Sequence, residues 1–142
     1  MSFPDNFLKG LSDKDSLTSD GFGVSASVFY FHSQHVRDGW LEQSICWEDD
    51  ANVIALMLGQ KKGEKGDGEI QFKAGLARVA RSYVDYINKV PPRTKSLLSY
   101  ERKALNNNPY HGNLLLKENT HKYIMKIVAA AIASYAEVIN RE

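Results

Sequence analysis

The sequence predicts an all-α protein, a single-domain bundle of roughly four to five helices. Three observations predict it: an amphipathic pattern over residues 70–90, an uninterrupted apolar seam near the carboxy terminus, and the lack of convincing strand pairs. The bundle is expected to occupy residues 23–142, behind a flexible segment at 1–22 and interrupted by a mobile Gly/Lys loop.

Residues 1–22 are rich in Ser, Asp and Gly, and beyond Phe3, Phe7, Leu8 and Leu11 they carry no periodicity. That composition predicts a short helical turn at most, followed by mobile chain. From Val24 to Trp47 the two periods compete. Val28, Phe29, Tyr30 and Phe31 favour a strand, whereas the spacing of Val24, Val28, Phe31 and His35 favours the helix expected here, with Gly39 interrupting it. Glu48, Asp49 and Asp50 stand before Val53, Ile54, Met57 and Leu58. Carboxylates at that place accept from free backbone N–H groups and meet the positive end of the helix dipole. A helix over 49–59 follows, stopped at Gly59.

The run GQKKGEKGDGE offers no side chain to a core and predicts an exposed basic loop carrying Lys61, Lys62 and Lys65. At about 100° per residue, Phe72, Leu76, Val79, Ala80, Tyr83, Tyr86, Ile87 and Val90 share one face of a helix. Arg78, Arg81, Asp85 and Lys89 fall on the opposite side. Pro91 and Pro92 then force a turn, and Thr94 can cap a helix to Leu105 that leaves Lys95, Ser99, Arg102 and Asn106 outward. Residues 106–109 break it, and Tyr110 to Leu116 make a compact link. A last helix, capped by Asn119 or Thr120, runs to Asn140 with Ile124, Ile127, Val128, Ala131, Tyr135, Val138 and Ile139 as its seam. Lys122 and Lys126 project from its other side.

Hydrophobic residues make up 43% of the chain, enough for a folded globular core. No run approaches the about 18–20 apolar residues of a membrane span, and the amino terminus lacks a secretory pattern, so a cytoplasmic location is expected. One cysteine, Cys46, agrees with a reducing compartment and reads as a small buried hydrophobe. The net charge of +1 conceals polarity: residues 1–60 hold three basic and nine acidic residues (net −6), the remainder fifteen and eight (net +7). Either the basic part seeks a polyanion or the two parts neutralise each other.

His32 and His35 have the spacing of a metal pair without further ligands at fixed positions, so no metal or cofactor is expected. The Gly/Lys loop fails the P-loop pattern, because Gly63 is followed by Glu64 and no strand precedes it. Arg102 and His111 resemble the Arg-to-His pair of HEPN-type helical ribonucleases, in which the arginine holds the phosphate and the imidazole moves a proton. They stand farther apart here, and the enzyme is kept as an alternative. The stretch NPYHGNLLLKENT with the helix HKYIMKIVAAAIASYAEVIN resembles, over residues 70–142, small helical subunits of class 1 CRISPR effector complexes and the carboxy-terminal helical region of their large subunits.

That resemblance implies a non-catalytic subunit that steadies guide RNA, target or displaced DNA beside other effector subunits. The expected contacts are Lys61, Lys62, Lys65, Arg78, Arg81, Lys89, Lys95, Arg102 and Lys103, with Tyr100 able to stack on a base. Self-association, and a scaffold or immunity-type role in protein binding, are the remaining alternatives.

Overall fold

The computed structural model describes residues 3–63, 68–89 and 97–141. They form an antiparallel sheet with helices on both faces, which overturns the all-α bundle. In chain order the elements are β1 (Asn6–Leu11), 3-10 turns at Lys14–Ser16 and Ala26–Phe29, β2 (Val36–Arg37), β3 (Trp40–Trp47), α1 (Asn52–Leu58) and β4 (Gly75–Ala80). There follow α2 (Arg81–Lys89), β5 (Leu98–Arg102), β6 (His111–Lys117), α3 (Lys122–Tyr135) and β7 (Glu137–Ile139). The sheet order is β5-β6-β3-β1-β4-β7, with β2 attached to β3.

Strand alternation divides the apolar side chains between two layers. Phe7, Leu11, Leu41, Ile45, Trp47, Ala77, Val79, Leu114 and Leu116 pack with Val84 and Ile87 of α2, Val128 and Ile132 of α3, and Phe29. On the opposite face Leu8, Cys46 and Leu76 lie under Val53 and Met57 of α1. Because α1 is short, it covers only part of its face. The rest, over β3, β6 and β5, carries polar side chains, with Arg37 joined to Glu42 and Glu101, and Asn113 donating to Glu101.

The corrections have local causes. The amino-terminal stretch expected to be mobile contains β1, whose Phe7, Leu8 and Leu11 are fully buried at the centre of the sheet. The helix expected in 24–47 is replaced by a 3-10 turn and a β2–β3 hairpin, whose loop residues Asp38 and Gly39 have φ of 52° and 84°. Two left-handed residues in succession make the tight turn whose twist suits paired strands, and glycine takes that conformation without strain. The helix over 70–90 divides: Gly75–Ala80 is strand β4 and only Arg81–Lys89 is helical. The described part of the helix to Leu105 contains strand β5 in place of a helix, and most of the link 110–116 lies in strand β6.

Two helices agree better. Asn52–Leu58 ends at Gly59, and the Asp50 carboxylate accepts from the Asn52 N–H at 2.8 Å. The last helix ends at Tyr135 rather than Asn140, and its buried side is Met125, Val128, Ala129, Ile132 and Ala133, which leaves Ile127 exposed. Among the described residues no helix is long and apolar enough to cross a membrane.

Gly10 sits where the Phe72 ring lies against β1, in space that a Cβ would need. Gly10→Val is therefore expected to expel the ring and to cost about 1–3 kcal/mol of stability, read by urea denaturation.

Candidate functional site

The arginines expected to form a phosphate-binding strip are engaged by carboxylates and by the fold. Arg78 leaves β4 and binds Glu48 through two hydrogen bonds of 2.8 and 2.7 Å, and Glu137 at 2.9 Å. The bond to Glu48, with the Glu137 bond and both negative charges behind it, raises its pKa further above the ordinary arginine value despite partial burial. Arg81 donates to the Pro4 carbonyl at 3.0 Å and lies 3.7 Å from Asp85. Arg102 pairs with both carboxylate oxygens of Asp49. Thus Glu48 and Asp49, from the acidic part, neutralise Arg78 and Arg102 of the basic part, the second of the two readings of the charge polarity. Tyr100 is a core residue: its hydroxyl donates to Asp85 at 3.0 Å and its ring packs against Phe3 and Trp47.

Arg102 and His111 do not converge. Arg102 pairs in register with Gly112, so strand alternation sends the side chain of His111 to the other face. There is no helical frame around them either, so the ribonuclease geometry is not formed. Lys89 and Lys103 are exposed at separate places, the end of α2 and the β5–β6 loop. Lys65 and Lys95 lie outside the described residues. His32 and His35 have ring centroids 6.4 Å apart, and among the described residues no group of three metal-ligating side chains forms.

A different site emerges where strands β1 and β3 separate. They pair only at Phe7 with Trp47 and Leu8 with Cys46, after which β1 continues alongside β4 alone. Lys9 reaches into the split and donates from Nζ to the Ser44 carbonyl at 3.0 Å, in place of a backbone donor. Burial lowers its pKa to about 8, against a smaller opposing effect from Cys46.

Beside this split lies a cleft of about 790 Å³. Its floor is the outer sheet face at Leu8, Gly10, Ser44, Cys46 and His111. One wall is the end of α1 with Gln60, Lys61, Lys62, Gln71 and Phe72, and the other is the β5–β6 loop with Leu105, Asn107 and Asn108. Backbone bonds from Lys62 N to Glu69 O at 2.8 Å and from Gln71 N to Gln60 O at 2.9 Å close the neck of the Gly/Lys loop and hold Lys61 and Lys62 at the rim. Among the described residues the ionisable lining is three lysines, one histidine and one cysteine, without a carboxylate. None of those lysines has a carboxylate within 4.0 Å among the described residues.

The His111 Nδ1–H donates to the Lys103 carbonyl at 2.8 Å, which fixes the ring at the edge of the cleft. Asn108 donates to the Cys46 sulfur at 3.1 Å and accepts from the Tyr110 N–H. Burial raises the Cys46 pKa, opposed by the Asn108 bond and the Lys9 charge, so the thiol is no ready nucleophile. A basic, amide-rich cleft with an aromatic wall can bind anions and the polar edges of planar groups. Sequence reasoning found Lys61 and Lys62 through composition, but missed Lys9, Gln60, Gln71, Phe72 and Asn108.

Compared with family models, with curated proteins and with solved structures, the chain matches none.

Proposed function

We propose that the chain is a non-catalytic nucleic-acid-binding domain that takes a single-stranded segment into the cleft beside Lys9, Lys61 and Lys62. One observation carries this reading: the cleft lining is cationic without an opposing carboxylate among the described residues, whereas Arg78 and Arg102 are already paired with Glu48 and Asp49. Lysines bind phosphate with little geometric demand, and Phe72, Gln60, Gln71 and Asn107 give bases a stacking wall and hydrogen-bonding partners. The proposal does not extend to a CRISPR assembly, because the helical architecture over 70–142 that suggested it is not what the chain forms.

Reversing both rim lysines, Lys61→Glu with Lys62→Glu, is expected to weaken single-strand binding at least ~tenfold at low salt and to reduce the salt slope by about 1.4, for two lost phosphate contacts. Fluorescence polarisation with labelled single-stranded RNA and DNA, over a salt titration, measures both. Absence of salt-sensitive binding, or a double variant that binds like the parent, removes the reading. A protein-binding role has one observation in its favour: the exposed Tyr83 and Tyr86 gather around Tyr135, with Tyr83 and Tyr135 stacked at 4.2 Å. Light scattering after size exclusion tests it through self-association.

A further inference from the structure

A second cavity, of about 310 Å³, opens on the same split in the sheet, and Lys9 and Ser44 line both spaces. Gln43 also lines it. This glutamine occupies an inward position of β3, between Leu41 and Ile45, and is only 9% exposed. Its Nε2 donates to the Phe29 carbonyl at 2.9 Å, but its Oε1 is buried and has no hydrogen-bond partner among the described residues. A buried amide oxygen in that state calls for a donor. Tyr30 and His32, ring centroids 5.5 Å apart, give the cavity an aromatic side, while the Glu42 carboxylate in its lining is already held by Arg37.

We infer that this cavity is a subsite for one nucleobase with its amino group at purine C6 or pyrimidine C4, adenine or cytosine, the Gln43 side chain turning to bring Oε1 to the cavity and accept from that group. The inference rests on the single-strand reading of the larger cleft, because Lys9 stands where a strand passing from one space to the other would turn. Its size lies at the lower end of the range for small-ligand sites. Where adenine and cytosine present an amino donor, guanine and uracil present a carbonyl acceptor, which would face the Gln43 oxygen acceptor to acceptor.

The test compares oligoadenosine with oligoinosine of the same length by fluorescence polarisation, since inosine replaces the amino group with a carbonyl and leaves the phosphate charge unchanged. The adenosine strand is expected to bind at least ~fivefold more tightly, the effect of about one hydrogen bond. Gln43→Met, of similar volume and without the acceptor, is expected to lower adenosine binding to the inosine level. The parent comparison needs no variant, so the test stands even if Gln43→Met fails to fold. Equal affinity for the two strands, with salt-sensitive binding intact, overturns the subsite and leaves the cleft reading in place. A preference that survives in folded Gln43→Met overturns the role of Gln43, and binding of neither strand removes both readings.

Discussion

Trp47→Ala is expected to lower the unfolding free energy by about 3–5 kcal/mol, a larger loss than that expected for Gly10→Val. Trp47 is fully buried at the end of β3, where the two-residue pairing with β1 begins. Its ring lies 4.8 Å from Phe3, 6.0 Å from Phe7 and 5.6 Å from Tyr100, so truncation opens a cavity among three other aromatics. The indole N–H donates to the Glu101 carbonyl at 3.0 Å, and that bond ties β3 to the edge strand β5 across β6. Trp47→Phe retains most of the packing but loses this bond, and a cost of about 1 kcal/mol for the bond itself is expected on top of the lost volume. Urea denaturation followed by circular dichroism measures both. A midpoint for Trp47→Ala within error of the parent would refute the aromatic cluster as the anchor of the sheet.

Lys9→Met is expected to stabilise the protein at neutral pH and to flatten its stability profile in alkali. The folded-state pKa of Lys9, about 8, lies below the ordinary lysine value of 10.5, so between these values the unfolded chain holds more proton than the native one. Stability from this group therefore rises as pH increases through that window, and the full penalty of burying the ammonium applies below about pH 8. The difference between parent and variant, taken from urea denaturation across the window, isolates this titration from that of tyrosine. A difference that does not change with pH would refute the burial of the charge. The same variant should bind single strands more weakly, since a cation kept at a cost to stability is characteristic of a functional position.

What the sequence conveyed depended on whether one face or both faces of an element are buried. Helix α1 was legible from its leading acids and Gly59, and α3 from its long apolar seam, although apart from Val128 the fully buried residues are neighbours of those the spacing singles out. Strand β4 was not legible. Leu76 belongs to the α1 side while Ala77 and Val79 belong to the main core, so burial on both faces erases the alternation that marks a strand. The leucine triplet of β6 is similar, with Leu114, Leu115 and Leu116 all buried.

In β3 the alternation of Leu41, Ile45 and Trp47 is present but interrupted by a buried glutamine, Gln43. The Asp38–Gly39 pair is a strong local hairpin signal, yet behind a helical spacing of apolar residues its glycine reads equally well as a helix break. The cleft itself is assembled from β1, β3, the chain after α1 and the β5–β6 loop, so no single window of sequence contained it. Arg78 and Arg102, which stand free on a helical wheel, are matched by acids thirty or more positions earlier, a relation that only the paired strands bring about.

The place of β1 has a consequence for biosynthesis. NFLKGL leaves the ribosome well before its full-length partner, which ends at Ala80, and that strand is flanked in turn by Glu137–Ile139. A nascent chain must therefore carry an unshielded apolar ribbon until those later strands emerge to close around it. Such distant pairings fold slowly and invite association with other chains before completion.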